Sequence, residues 1–350
     1  MVAIYFDRQF IERFQQRNDH DNPVIYDFLN HFIKKIRGVK VYVDLNTVEE
    51  LQNKTQENEF YWIISEIGQL KLIKYNECIN SIDFYKSGPI TKIFFVERPE
   101  EDELQKKYGH FFISNNSLID KWKVFTDREE NEMLIKSNPR KDETGVFKGW
   151  KDLSLFKHVA NNILLFDLYA LTNKKDQRID KNILPCLLEL IRHNSIVDLT
   201  IITRQLPLNP KKQRDIQDLW IKDDFSIISE HIKPIVGSVK NFSLVKYEES
   251  KNIKADSEHN RYLITNYFFI RLEAGFNVFK DNGEVNNRDS IKIDSIFKNR
   301  VRNIVAEAIK NLKTYISSLK QMEERAIGPG KVVEHYFYHP YLKSRYLKDD

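Results

Sequence analysis

The chain has 350 residues, 41% of them hydrophobic and 30% charged, and its 55 Lys and Arg against 51 Asp and Glu leave a net charge of only +4. Such a length suggests about two domains, and the balance of signs permits a nucleic-acid partner without demanding one. No apolar run approaches the ~20 residues that cross a bilayer, and Met1 opens no basic-then-apolar leader pattern, so a cytoplasmic protein with no membrane partner is expected.

In chain order, the spacing predicts a helix over 7–17 and a second over 24–37, where Ile25, Phe28, Leu29, Phe32 and Ile36 recur with helical period and Gly38 ends the run. The alternating VKVYVDLN that follows reads as a strand delivering Asp44 to its carboxyl end, where α/β folds place functional groups. A helix from Thr47, a strand over 90–97, an acidic helix containing Glu100 to Glu103 and a strand over 110–114 complete a first α/β unit, 1–126. The charged segment 127–150, with Pro139, Gly145 and Gly149, reads as an interdomain connection.

A second unit, 151–290, follows. NNILLFDLYAL reads as a buried strand, 180–192 as a helix, VDLTIITR as a strand ending at Arg204, 216–235 as a helix and FSLVKYEE as a third strand. The fold class is therefore α/β, with two domains of mostly parallel or mixed sheets flanked by helices. The remainder, 291–350, opens with a long amphipathic helix over 291–325. Ile296, Val301, Val305, Ala308 and Leu312 lie near one stripe, and Lys298, Arg300, Arg302 and Lys310 occupy the rest. Packing on a sheet is the usual explanation of such a helix; a dimer seam or a track along phosphates is the sharper one. The tail EHYFYHPYLKSRYLKDD mixes aromatic and basic residues, which suits either docking on the core or stacking on bases. Cys78 and Cys186 lie far apart among apolar neighbours, as reduced core thiols would.

The most informative stretch is Glu258-His259-Asn260-Arg261-Tyr262-Leu263-Ile264-Thr265-Asn266. On a strand, the period of two sends His259 and Arg261 to the same face. An imidazole nucleophile beside a guanidinium that holds phosphate oxygens is the minimal equipment for attacking a phosphodiester without a metal. As a bland alternative, RYLITNYFFI forms a buried strand whatever His259 does, and both polar residues merely stand at its entrance.

The spacing of His259, Arg261 and Asn266 resembles the H-x-K-x4-D signature of the phospholipase D superfamily, with arginine in place of lysine and the asparagine seen in its tyrosyl-DNA phosphodiesterase branch. Gly275-Phe276-Asn277 echoes the family's downstream G-S-x-N element. The resemblance implies that one histidine attacks phosphorus to form a phosphohistidine, that a second protonates the leaving oxygen, and that no cofactor or metal is needed. His259 is then nucleophile or proton donor, Arg261 clamps phosphate, and Asn266 orients His259 or a phosphate oxygen. Glu258, Glu273 and Asn277 support the site, and Arg204, Lys211 and Lys212 supply cations for DNA or RNA. The chain carries one such motif where a monomeric enzyme needs two, so the resemblance implies a homodimer or a larger complex, in the style of bacterial anti-phage or mobile-element systems.

Two rival readings stand beside it: a non-catalytic subunit that binds nucleic acid or a partner protein through the same cations, and a metal-dependent nuclease built on Asp44, Glu97 and Asp120 in the first unit. His110 is the candidate for a second catalytic histidine. The two halves look faintly alike, as a degenerate duplication would. The phosphate loops of nucleotide hydrolases and dinucleotide folds are absent, and no Ser or Cys sits in a Gly-flanked elbow, so an ATPase, a dehydrogenase or a serine or cysteine hydrolase is not expected.

Overall fold

The structure, a computed structural model, describes residues 2–80, 91–125, 132–137, 139–156, 160–167, 179–191, 197–204, 239–247, 261–273, 275–280, 282–286, 289–326 and 337–338. Its elements form two sheets flanked by helices, one parallel and one mixed, so the chain is an α/β protein.

The first sheet is built from β1 (Val2–Phe6), β2 (Val39–Val43), β3 (Gly68–Leu72), β4 (Thr91–Phe95) and β5 (Phe111–Ile113), all parallel, in the order β3-β2-β1-β4-β5. β1 takes the central place because VAIYF is apolar at every position, and all five residues are buried. The helix expected at the start is α1 (Arg8–Gln15), and the strand before it was not expected. Asp7 separates the two and caps α1, its Oδ1 accepting from Gln9 N at 2.9 Å. The second predicted helix is α2 (Pro23–Tyr26), which widens into a π-helical stretch over Asp27–Ile33. Further helices are α3 (Val48–Glu57), capped by Thr47, α4 (Glu59–Glu66), capped by Asn58, α5 (Tyr75–Asn80), the acidic α6 (Glu101–Tyr108) and α7 (Leu118–Trp122). Phe6, Phe10, Phe28, Phe95 and Trp122 interlock on one face of the sheet, Phe6 stacking on Phe95 at 4.9 Å and Phe28 meeting Trp122 edge-on at 5.1 Å. Each such ring stabilises by about 1.5–3 kcal/mol on burial.

The second sheet holds nine strands: β6 (Glu132–Ile135), β7 (Val146–Phe147), β8 (Asn162–Phe166), β9 (Val197–Arg204), β10 (Val239–Tyr247), β11 (Tyr262–Thr265), β12 (Phe268–Leu272), β13 (Asp289–Ser295) and β14 (Phe337–Tyr338). Their order is β14-β10-β9-β8-β11-β12-β13-β6-β7. β8, β9 and β10 run parallel; β11, β12, β13 and β6 continue the sheet antiparallel. Helix α8 (Leu184–Ile191) follows a π-helical turn over Ile179–Ile183. Burial pushes the Cys186 thiol on α8 well above its ordinary pKa, as a core thiol requires.

Two expectations are corrected here. The supposed connection 127–150 contributes β6 and β7, with Met133, Ile135, Val146, Phe147 and Trp150 in the core. The long helix does not begin at Ile291: residues 289–295 are β13, whose alternating burial puts Ile291 and Ile293 inside, and the helix α9 is Asn299–Ala326. Val301, Val305 and Leu312 are buried, so the described first half of α9 is a packed helix. The helix expected over 216–235 lies outside the described residues. The halves also differ in topology, which leaves the duplication without support.

A buried polar seam joins the two sheets. The Tyr267 hydroxyl donates to Lys92 O at 2.5 Å and accepts from Phe111 N at 2.8 Å, Thr91 Oγ1 donates to Asn266 O at 2.5 Å, and Asn161 Nδ2 donates to Tyr108 O at 2.7 Å. One apolar cluster runs through both halves. Among the described residues, no helix is long and apolar enough to cross a membrane.

Candidate phosphodiester site

β11 runs antiparallel to β8, with Tyr262 opposite Phe166, so the entrance of β11 meets the carboxyl end of β8. β9 ends alongside, and Asp167 N donates to Ile202 O at 3.1 Å. Two parts of the chain far apart in sequence thereby converge: Asp167 just after β8, and the open end of the β11–β12 hairpin, with Arg261 just before β11 and residues 273–277 after β12.

The contacts are specific. Arg261 Nε lies 3.9 Å from Asp167 Oδ1, and Arg261 Nη1 donates to Glu273 O at 3.0 Å. The other carboxylate oxygen, Asp167 Oδ2, accepts from Phe276 N at 2.8 Å. Gly275 closes the arrangement in the left-handed region at φ +85°, and a Cβ there would stand 2.6 Å from Arg261 Cδ and 2.8 Å from Asp167 Oδ2. Any side chain there strains the backbone and must displace Arg261 or Asp167. The result is a guanidinium fixed at the carboxyl edge of parallel strands, where α/β sheets bind ligands.

The sequence-predicted residues fall into three groups. Arg261, Glu273 and the Gly275-Phe276-Asn277 element are brought together, although Glu273 contributes its carbonyl while its side chain is exposed. Asn277 lies beside Asn182, whose Nδ2 reaches Asn277 Oδ1 at 3.5 Å and Phe279 O at 2.9 Å. Arg204 ends β9, next to the strand that Asp167 follows, which puts its backbone on the same edge. His259, Glu258, Lys211 and Lys212 lie outside the described residues.

Asn266 is the residue the site does not contain. It follows β11 at the end opposite Arg261, is wholly buried, and spends its amide on the fold: Oδ1 accepts from Asn161 N at 2.9 Å and Asn162 N at 3.0 Å, and Nδ2 donates to Asn161 Oδ1 at 2.9 Å. It clamps the start of β8 to the end of β11, so the expected orientation of His259 or a phosphate oxygen by its side chain is corrected. His110 is likewise corrected as a second catalytic group. It is fully buried in the seam, with Nε2 3.2 Å from Asn161 Nδ2 and Nδ1 3.5 Å from the Tyr267 hydroxyl. Because Asn161 Nδ2 is a donor, those distances fit the tautomer protonated on Nδ1.

The acids proposed for a metal in the first unit are not assembled. Asp44 Oδ1 accepts from Tyr75 N at 3.3 Å, Glu97 is taken by Asn115 N at 2.7 Å and Arg13 Nη1 at 2.5 Å, and Asp120 is exposed on α7 beside Lys123. Among the described residues, no group of three or more His, Cys, Asp or Glu is placed to hold a metal ion.

Asp167 is not among the residues that the sequence assigned to the site. The signal was its position between an all-buried strand and a cationic motif strand, and only the register of β8 against β11 turns that position into a contact. Asp7 was missed altogether, although it stands between an apolar run and a helix-spaced one. A scan against protein-family models finds no match to this chain, and a search of curated proteins finds none either.

Proposed function

We propose that this protein binds nucleic-acid phosphodiesters at the carboxyl edge of β8 and β9 and cleaves them without a metal. The observation that carries the reading is the convergence of Arg261, Asp167 and Gly275, with Arg261 standing in the motif that His259 opens in sequence. A guanidinium held in place by a carboxylate and a carbonyl pays little reorganisation when a phosphate arrives, which is how preorganised charge lowers a barrier. In the proposed step the imidazole of His259 forms a bond to phosphorus as the P–O bond to the leaving oxygen breaks. The proton for that oxygen comes from a second imidazole, and water then hydrolyses the phosphohistidine. A homodimer supplies that second imidazole as another copy of His259. The setting proposed is a bacterial anti-phage or mobile-element system.

The test is cleavage of labelled single- and double-stranded DNA and RNA in EDTA, wild type against His259→Ala. Cleavage that survives EDTA and disappears in the variant supports the reading. Cleavage that requires Mg2+ and ignores His259 overturns it and moves attention to Asp7 and Asp44.

One observation favours a second reading, a non-catalytic binding subunit: the buried carboxamide of the motif binds Asn161 and Asn162 at the end of β11 opposite Arg261. In that case His259→Ala leaves nucleic-acid binding intact, while charge reversal at Arg261 weakens it.

A further inference from the structure

A cavity of about 800 Å³ opens on the second unit, between the turn at Lys148 to Asp152, the start of α8 and the Phe279 strand segment. Its volume lies within the ~300–1,000 Å³ of small-molecule sites. The floor is apolar, made by Trp150, Pro185, Leu188 and Phe279, and Lys148, Lys151 and Lys181 stand around it with Asp152 and Glu189.

Three lysines against the two acids Asp152 and Glu189 leave the lining net positive. Asp152 Oδ2 accepts from Lys148 N at 2.6 Å and Gly149 N at 3.3 Å, which fixes the turn. Lys148 Nζ donates to Lys141 O at 2.6 Å, and Lys151 and Lys181 stand exposed at the rim. The indole nitrogen of Trp150 donates to Lys181 O at 3.1 Å, so the ring presents only apolar surface to the cavity.

The cavity is coupled to the Arg261 site through shared aromatic packing. Phe276, whose N–H holds Asp167, stacks on Trp150 with ring centroids 6.3 Å apart and planes at 15°, and Phe279 meets the edge of the same indole at 6.3 Å. From Gly275 to Phe279 the chain spans at most about 13 Å, a length that a short single strand covers.

We propose that this cavity holds an unpaired base of a single-stranded nucleic acid whose neighbouring phosphates contact Lys151 and Lys181. Stacking against aromatic and apolar surface with flanking cations is the physics of single-strand binding, whereas a duplex keeps its bases out of such a cavity. The proposal rests on the phosphodiester reading and narrows its substrate to single strands.

The experiment is fluorescence anisotropy of a labelled single-stranded DNA decamer and its RNA counterpart in EDTA, against the matched duplex, for the full chain, Lys151→Ala, Lys181→Ala and Phe279→Ala. A slope of about −0.7 per phosphate in log K against log salt means about a fivefold loss at 0.1 M for each lysine removed, with the slope shallower by about 0.7. Phe279→Ala weakens single-strand binding and leaves duplex binding unchanged. The lysine variants should melt with wild type, since both side chains are exposed. If wild type binds but all three variants bind equally well, the cavity assignment is wrong and the Arg261 site stands. If wild type binds duplex alone, the cavity assignment is also wrong, and the His259→Ala cleavage test decides the wider reading separately. Absence of binding to any strand overturns both.

Discussion

Each sheet carries an aspartate and an arginine at the carboxyl edge of its strands, and the two pairs have nearly the same separation. Asp7 Oδ2 lies 3.8 Å from Arg98 Nε in the first, and Asp167 Oδ1 lies 3.9 Å from Arg261 Nε in the second. What surrounds them differs. Asp7 spends one oxygen on capping α1, its other oxygen is buried without a hydrogen bond, and Arg98 lies over the Tyr75 ring at 4.2 Å. Asp167 ties down Phe276 N, and Arg261 is braced by Glu273 O and pressed by Gly275. Both pairs join segments far apart in sequence; the first serves a helix start beneath an aromatic ring, whereas the second ties down the turn after β12, with a left-handed glycine pressed against both of its side chains. Neither distance nor sequence separation therefore marks a site, but the convergence of Phe276 N, Glu273 O and Gly275 on the second pair sets it apart.

Asp167→Ala should break that convergence most severely. It takes the carboxylate from beside Arg261 and the acceptor from the Phe276 N–H together, and removing one partner of a buried charge pair costs about 3–5 kcal/mol. Denaturant titration reads this directly; a loss under 1 kcal/mol would mean that the turn after β12 holds itself. Gly275→Ala comes next. A non-glycine residue at positive φ and a Cβ pressed on two side chains together cost about 2–4 kcal/mol. Gly38→Ala is the control, because its φ of +67° is similar yet nothing stands within 4 Å of the added methyl. If both variants lose the same amount, the close approach at Gly275 contributes nothing.

How far the sequence carried depended on the range of the signal. Helix caps, the alternation in β2 and the motif strand β11 are local, and each is readable from a few residues. β1 was lost because five uniformly buried residues show no period, and β13 was misread because Ile291, Ile293 and Ile296 satisfy a strand and a helix about equally well. β6 and β7 were hidden among charges, since β6 buries only alternate residues and β7 is a mere two residues long. In the site, Arg261 and Gly275 were visible as a pattern, whereas Asp167 acquires its role only through register between strands about a hundred positions apart. Asn266 shows the converse: its place in a spacing pattern pointed to chemistry, and its partners at Asn161 and Asn162 came from a segment the pattern does not include.

The seam between the sheets offers a smaller effect. Tyr267→Phe keeps the ring and removes the hydroxyl that serves both Phe111 N and Lys92 O. Leaving those buried groups without their partner costs about 1–3 kcal/mol. Thermal melts of the variant should still show one transition if the shared apolar cluster couples the two sheets as one unit; two transitions would mean that the Tyr267 hydroxyl bonds of the seam couple them instead.

Asp7→Asn should have the smallest effect and the opposite sign. Burial raises the Asp7 carboxyl above its ordinary 3.8; the bond from Gln9 N and the charge of Arg98 pull the other way, and the neighbouring Asp44 adds to the rise. The folded state thus favours the neutral acid more than the unfolded state does, so what Asp7 contributes is fully present below about pH 3.8 and is lost as pH climbs through the raised folded value. Asparagine keeps a cap oxygen for Gln9 N and carries no charge at any pH. The variant should therefore melt above wild type at pH 8, with the gap closing as pH falls toward 4. A gap that stays constant across that range would mean that Arg98 compensates the buried charge in full, and the two ion pairs would then differ only in the chain segments they hold.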